Sequence, residues 1–180
     1  GSHNNLLYNN NLINNGENAY SHDSANIWSS PDQMTYNYNG SIYTNFMGNH
    51  WDDYTGSDAD GDGIGDIPYP IDADSDDYPL TGTFNNYAIV VTFPDPNLEA
   101  AIREAIGKPT GDIYLSDLDG LTYLDASRRE IIDLAGLEHC TDLMELYLWD
   151  NQISDISPLS SFTSLIELNL WDNQIGNISP

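Results

Sequence analysis

Leu143-Met144-Glu145-Leu146-Tyr147-Leu148-Trp149-Asp150-Asn151-Gln152-Ile153 is rewritten 22 positions later as Leu165-Ile166-Glu167-Leu168-Asn169-Leu170-Trp171-Asp172-Asn173-Gln174-Ile175. Upstream, Leu121, Leu124, Ala126, Ile131 and Leu134 hold the equivalent places in a weaker third copy. A fixed period of this length marks a solenoid, because one unit is too small to close a core and buries its apolar side only against the next. Along each short strand the leucines point inward, so the residues between them face outward on a concave sheet. Stacking the copies gives four outward columns: Tyr123, Glu145, Glu167; Asp125, Tyr147, Asn169; Ser127, Trp149, Trp171; and Arg128, Asp150, Asp172. Parallel strands lie about 4.8 Å apart, which predicts Trp149 and Trp171 side by side, with Asp150 and Asp172 next to them. Exposed aromatics flanked by acids suit recognition of a protein or a sugar. The competing reading is that duplicated tryptophans only shield the sheet.

The pattern L-x-x-L-x-L-x-x-N-x-I, continued by Asn151-Gln152-Ile153-Ser154-Asp155-Ile156-Ser157-Pro158-Leu159, resembles the internalin-like class of bacterial leucine-rich repeat. Glu145, Tyr147, Trp149, Asp150, Glu167, Trp171 and Asp172 are the candidate ligand-binding residues of its concave face. Ahead of the repeats, Tyr87-Ala88-Ile89-Val90-Val91-Thr92-Phe93 is a β-branched run that reads as a strand, placing a module boundary near residues 81–86. Asp95 is the expected N-cap of a helix with Pro96 in its first position, Leu98, Ala101, Ile102, Ala105 and Ile106 on one face, and Gly107 at its end. This helix resembles the N-terminal cap of internalin-like domains. The expected plan is thus a tag remnant at 1–3, a β-helix end at 4–80, a linker at 81–86, a cap at 87–120 and repeats at 121–180 that stop in mid-repeat at Pro180.

A second, shorter repetition opens the chain, where Asn4-Asn5-Leu6-Leu7-Tyr8-Asn9 is followed by Asn10-Asn11-Leu12-Ile13-Asn14-Asn15. Apolar pairs between asparagines suit the turns of a parallel β-helix, since asparagine tolerates the left-handed bend. The later order Asn26-Ile27-Trp28, Gly48-Asn49-His50-Trp51-Asp52-Asp53-Tyr54-Thr55-Gly56, the acidic loop and Tyr78-Pro79-Leu80 resembles the C-terminal end of NosD-like, or CASH-type, right-handed β-helices. The resemblance implies a mainly β solenoid and a setting among secreted carbohydrate-binding proteins, sugar hydrolases and archaeal surface proteins. It also raises copper, for which His50, Met34 and Met47 are the nearby soft donors, at spacings that do not suggest a site. Tyr36, Tyr38, Tyr43 and Phe46 form an aromatic-rich stretch that reads as the core of an irregular cap before it reads as a glycan platform.

Asp58-Ala59-Asp60-Gly61-Asp62-Gly63-Ile64-Gly65-Asp66 carries the sharpest chemistry. Oxygen ligands at loop positions 1, 3, 5 and 9, a glycine at 6 and a backbone carbonyl at 7 are what a calcium loop supplies. Here they are Asp58, Asp60, Asp62, Asp66, Gly63 and the carbonyl of Ile64, the expected ligands of a structural Ca²⁺. The loop resembles those of EF-hands, dockerins and thrombospondin type-3 repeats, except that Tyr69 stands where an EF-hand has its bidentate glutamate. The following acids, Asp72, Asp74, Asp76 and Asp77, read as a solvated run.

Composition narrows the partners. Twenty-nine acidic against four basic residues, a net charge of −25, leave no basic patch for nucleic acid or for an anionic membrane. No apolar run is long enough to cross a bilayer, so no membrane insertion is expected of this fragment. Cys140 is the single cysteine and reads as a small packing residue. His22, His50 and His139 fall in unrelated contexts, and no serine elbow, zinc spacing or phosphate-binding lysine accompanies them. The expectation is a non-catalytic binding or adhesion module, extracellular or on a cell surface, with sequons at Asn39 and Asn177. The alternative is an accessory part of a carbohydrate-active β-helix enzyme whose chemistry lies upstream of Asn4.

Overall fold

The computed structural model describes residues 4–15, 19–21 and 25–176; residues 1–3, His22, the sequon at Asn177 and Pro180 lie outside them. The chain divides into two compact units, Gly1–Ile89 and Val90–Pro180.

In the first unit Asn4, Asn9 and Asn14 all take the left-handed conformation, with φ of 61°, 59° and 58°. Asparagine tolerates this region better than other side-chain-bearing residues. Leu6 bridges Ile27 in parallel, β1 (Asn11–Leu12) pairs in parallel with β4 (His50–Trp51), and His50 bridges Leu80 in parallel. Between these lies a hairpin, β2 (Met34–Tyr38) and β3 (Ser41–Asn45), whose Asn39-Gly40 turn has both φ values positive. That is the Asn-Gly turn that matches strand twist. A smaller hairpin joins β5 (Tyr69–Ile71) to β6 (Asp74–Asp76). Strand β7 (Tyr87–Val91) pairs its first three residues with β2, setting Tyr36 opposite Ile89 and Tyr38 opposite Tyr87.

The cores of this unit are aromatic. Trp51 is buried, stacks on Tyr69 at 4.2 Å and packs against Trp28 and Ile71. Tyr36 is fully buried and meets Tyr87 edge-on, while Tyr38 stacks on Tyr87. Of the aromatic stretch Tyr36 is core, while Tyr38, Tyr43 and Phe46 are half-buried.

The acids after the loop correct the sequence reading. Asp76 is fully buried, its Oδ2 accepting from Trp51 Nε1 at 2.9 Å and from the Asn49 backbone N–H at 2.7 Å, its Oδ1 from the Tyr78 N–H at 3.1 Å. Asn49 extends the network by donating to the carbonyls of Leu7 and Trp28. Asp74 accepts from the Ser21 hydroxyl, Trp28 Nε1 and the Asn26 N–H. Asp74 and Asp76 are therefore structural acceptors rather than a solvated run. Around a small hydrophobic cluster these carboxylates satisfy indole, hydroxyl and backbone N–H donors.

In the second unit Val90 and Val91 pair with β8 (Ile113–Tyr114). Helix α1 (Pro96–Ile106) begins at Asp95 and ends at Gly107, in the left-handed conformation with φ 68°. Leu98, Ala101 and Ile102 are its buried face; Ala105 is exposed and Ile106 half-buried. Strands β9 (Tyr123–Asp125), β10 (Glu145–Tyr147) and β11 (Glu167–Asn169) form a parallel sheet in the register that the 22-residue period dictates. Leu124 and Leu146 stack directly and are buried, as are Leu134, Leu137, Leu143, Leu148 and Cys140. Each leucine so buried contributes roughly 1.5–3 kcal/mol.

A second column holds the turns. Asn151 donates to the carbonyls of Ala126 and Leu148 and accepts the N–H groups of Arg129 and Ile131. Asn173 repeats this with Leu148, Leu170 and Ile153. Asparagine suits this position in the second and third copies because its amide donates and accepts at once from one point. Asp95 joins cap to repeat: one oxygen accepts from Asn97 and Leu98 in the helix, the other from Ile132 and Asp133 in the first repeat. No helix among the described residues is long and apolar enough to cross a membrane.

Candidate metal loop and strand face

The acidic loop is held by the aromatic sheet. The Tyr36 hydroxyl donates to the Asp62 carbonyl at 3.1 Å, and the Tyr87 and Thr81 hydroxyls both donate to the Gly63 carbonyl. Gly63 has φ 90°, and a Cβ there would come within 2.7 Å of the Tyr87 ring and 2.9 Å of Tyr38. Only glycine satisfies both the angle and the close approach. Burial, with Asp62 close by, pushes the Tyr36 hydroxyl far above its usual value, and burial raises Tyr87 to about 12. Both hydroxyls are therefore protonated donors at any ordinary pH.

Within that frame Asp58, Asp60 and Asp62 each offer a carboxylate oxygen, all within 4.8 Å of one another. Asp58 accepts from the N–H groups of Gly61 and Gly63, and Asp62 from Ile64 N–H at 2.7 Å and Asn45 Nδ2 at 3.0 Å. Asp66 stands outside the three-carboxylate group and accepts from Ala59 N–H and the Ser57 hydroxyl. Ile64 bridges Leu80, but the hydrogen bonds run from Thr81 N–H to Gly63 O and from Gly65 N–H to Pro79 O, so that bridge leaves the Ile64 carbonyl unused. An all-oxygen donor set of this kind fits a hard divalent cation and not a soft one. The soft donors are employed elsewhere: Met47 is fully buried, Met34 Sδ accepts from Asn9, and His50 Nδ1 lies 3.3 Å from the Leu80 carbonyl.

On the strand face, Tyr123, Glu145 and Glu167 are aligned in one column, as are Asp125, Tyr147 and Asn169 in the next. Tyr123 and Tyr147 rings lie 5.8 Å apart, and Trp149 and Trp171 6.5 Å apart. Trp171 is 70% exposed. A hydrogen bond to Glu167, with the negative charges of Glu167 and Glu145 beside it, raises the Tyr147 hydroxyl to about 12. Arg128, Asp150 and Asp172 share φ values of 58°, 58° and 57°, so the position after each tryptophan or its equivalent is a left-handed bend. Sequence reasoning placed these columns but missed what Arg128 does: its guanidinium lies 4.1 Å from the Trp149 ring centroid and its Nε 3.6 Å from Asp150.

Residues 141–180 match the family model of leucine-rich repeats in two copies. Internalin H of Listeria monocytogenes serovar 1/2a is 42% identical over 69 residues, 37% of this chain and 13% of Internalin H. The second unit carries an internalin-like leucine-rich repeat. Residues 1–56 match the family model of NosD, described as a periplasmic copper-binding protein, so NosD-like sequence precedes the repeat. Among solved structures, internalin C2 of Listeria monocytogenes is similar at 38% identity and TM-score 0.46, over 48% of this chain and 39% of that one. The CBM51-2 and INT domains of Clostridium perfringens ZmpB, solved with GlcNAc, give 39% identity and TM-score 0.41 over 44% and 17%. The chain thus spans well under half the length of these relatives.

Proposed function

We propose that this chain is a non-catalytic binding or adhesion module of a secreted or cell-surface protein. In it, the end of a parallel right-handed β-helix, stapled by calcium, precedes a capped leucine-rich repeat that engages a protein or glycan through Glu145, Tyr147, Trp149, Asp150, Glu167, Trp171 and Asp172. The observation that carries the reading is the outward alignment of aromatic and acidic side chains in register over β9, β10 and β11. Such a face gives rigid aromatic anchors at low entropic cost, with acids to select among partners. The calcium ligands are the carboxylates of Asp58, Asp60 and Asp62 and the carbonyl of Ile64, with Asp66, outside that group, reaching the ion through a bridging water. The ion's role is to neutralise three clustered carboxylates in a unit whose sequence has no lysine or arginine, so it stabilises the fold rather than supplying chemistry.

The test is a binding screen of the whole chain, in calcium, against a glycan array and a panel of extracellular protein domains. A ligand lost by Trp149→Ala/Trp171→Ala, with the far-ultraviolet spectrum unchanged, supports the face. A ligand retained by that variant places recognition elsewhere and removes this reading. The NosD match and the parallel pairing of residues 4–12 with later segments favour one second reading, an accessory role beside a carbohydrate-active β-helix. Hydrolase or lyase activity of a longer chain, abolished by changes upstream of Asn4, would select it.

A further inference from the structure

Cap helix α1 and strand β9 do not close fully against one another. Between them lies a crevice of about 270 Å³, walled by the Tyr123 ring, the Asp125 carboxylate and the Glu104–Arg129 ion pair, on an apolar floor of Ala101 and Leu124. Ala105 stands at its rim on the exposed side of the helix. All of these residues lie in the cap helix and the first repeat, with β10 and β11 beyond.

The polar walls keep spare capacity. Arg129 Nη2 donates to Glu104 Oε2 at 2.6 Å, and among the described residues nothing accepts from its Nε or Nη1. Asp125 Oδ1 accepts from the Ser127 N–H at 3.0 Å, whereas Asp125 Oδ2 and Glu104 Oε1 accept from none of the described groups. The Tyr123 side is open, for the residue is 52% exposed. Donors and acceptors therefore stand side by side next to an aromatic ring. An anion would meet two carboxylates in a chain of net charge −25. A cation could take Asp125 but would set its charge against the Arg129 guanidinium. A neutral hydroxyl meets neither obstacle, since it donates and accepts at once. Vicinal hydroxyls match a guanidinium beside carboxylates, and the C–H face of a sugar ring is apolar enough to lie on tyrosine. The volume falls just short of the roughly 300–1,000 Å³ of sites for larger ligands, which suits one ring.

We propose that this crevice seats a single neutral hexopyranose ring of a glycan. The seat rests on the strand face being a ligand surface, whose first column begins at Tyr123, and gives that surface a sugar-binding end.

The probes are the methyl glycosides of glucose, galactose, mannose and N-acetylglucosamine, added to the whole chain up to about 50 mM and followed by saturation-transfer NMR. Expected is saturable transfer to the ring protons of at least one of them, weakened about ten-fold by Asp125→Asn and lost in Tyr123→Ala. Ala105→Phe fills the crevice from an exposed helix position and leaves every polar wall in place, so it should abolish the signal too. An unchanged far-ultraviolet spectrum in both variants separates loss of the seat from loss of the fold. Transfer that survives both variants, or none from any of the four sugars, would overturn the seat. So would stronger transfer to glucosamine or glucuronate than to every neutral sugar, because a charged ligand would then be preferred. Trp149→Ala/Trp171→Ala should leave the transfer unchanged. If that variant loses a partner in the binding screen while no sugar binds the crevice, the strand face survives and the sugar assignment alone fails.

Discussion

Unit Gly1–Ile89 contains neither lysine nor arginine, whereas unit Val90–Pro180 carries all four basic residues, and the two satisfy their polar groups by different means. The first uses carboxylates as buried acceptors: Asp76 and Asp74 receive two tryptophan indoles, a serine and backbone N–H groups around a small aromatic core. The second uses a repeated amide, Asn151 then Asn173, beside a continuous leucine stack. An amide both donates and accepts, so it can be copied every repeat without accumulating charge. A carboxylate only accepts, so each buried one needs its own set of donors.

The sharpest break of that comparison comes from deleting one element on each side. Asp76→Ala orphans Trp51 Nε1 and the Asn49 and Tyr78 N–H groups, each costing about 1–3 kcal/mol when left buried without a partner. The first unit should lose its native Trp28 and Trp51 indole resonances while Trp149 and Trp171 keep theirs. Leu146→Ala, at a fully buried position, should destabilise the second unit by about 2–5 kcal/mol and leave the Trp51 resonance in place. Urea unfolding followed through these four indoles reads both, and a common loss of all four in either variant would show that the two units are held together as one.

Calcium sharpens the contrast next. Ion binding to the folded loop alone, at 100 times its dissociation constant, would add roughly 2.7 kcal/mol to the first unit and nothing to the second. Thermal unfolding in EDTA and in a calcium series, with magnesium as the control, measures it. Asp60→Ala, which removes one of the three clustered carboxylates, should abolish the increment. Equal stabilisation by magnesium, or none by either ion, would reduce the loop to a tyrosine-clamped acidic turn.

What the sequence disclosed follows the same division. The period placed the leucines, the outward columns and Asn151, because a stacked repeat converts spacing directly into contact. Asp95-Pro96 and Gly107 were legible because caps are local. The second oxygen of Asp95, bonded to Ile132 and Asp133, was not, since that partner lies 37 residues away and no spacing rule connects them. Asp74 and Asp76 were hidden for the same reason: apart from the local Tyr78 N–H, their donors come from residues 21 to 51, and an acidic run looks identical whether solvated or buried. The β2–β3 hairpin did leave a signal, Asn39-Gly40 between alternating residues, which the density of tyrosines overshadowed.

Acid offers the finest test, and its signs differ between the units. Burial alone would raise the Asp95 carboxyl, but the N–H groups of Ile132, Asp133, Leu98 and Asn97 together hold it below its ordinary value. A carboxyl lowered by folding contributes stability that is present above its unfolded value and is lost as pH falls through the folded one. At Asp117 desolvation is likewise outweighed, by the hydrogen bonds from Lys108 and the Tyr114 N–H and by the Lys108 charge, so the second unit should weaken steadily toward pH 3. In the first unit burial outweighs the hydrogen bonds at Asp76 and raises it. Its contribution is complete below the unfolded value and is lost as pH rises through the folded value, so acidification strengthens it. Asp74, lowered chiefly by the Ser21 hydrogen bond, opposes that gain. Urea midpoints between pH 6 and pH 3 should therefore fall in the second unit and change less in the first. In Asp74→Asn the opposing group is gone, and the first unit should become more stable as the pH drops; a parallel fall in both units would mean that Asp76 is ionised in the fold at little cost.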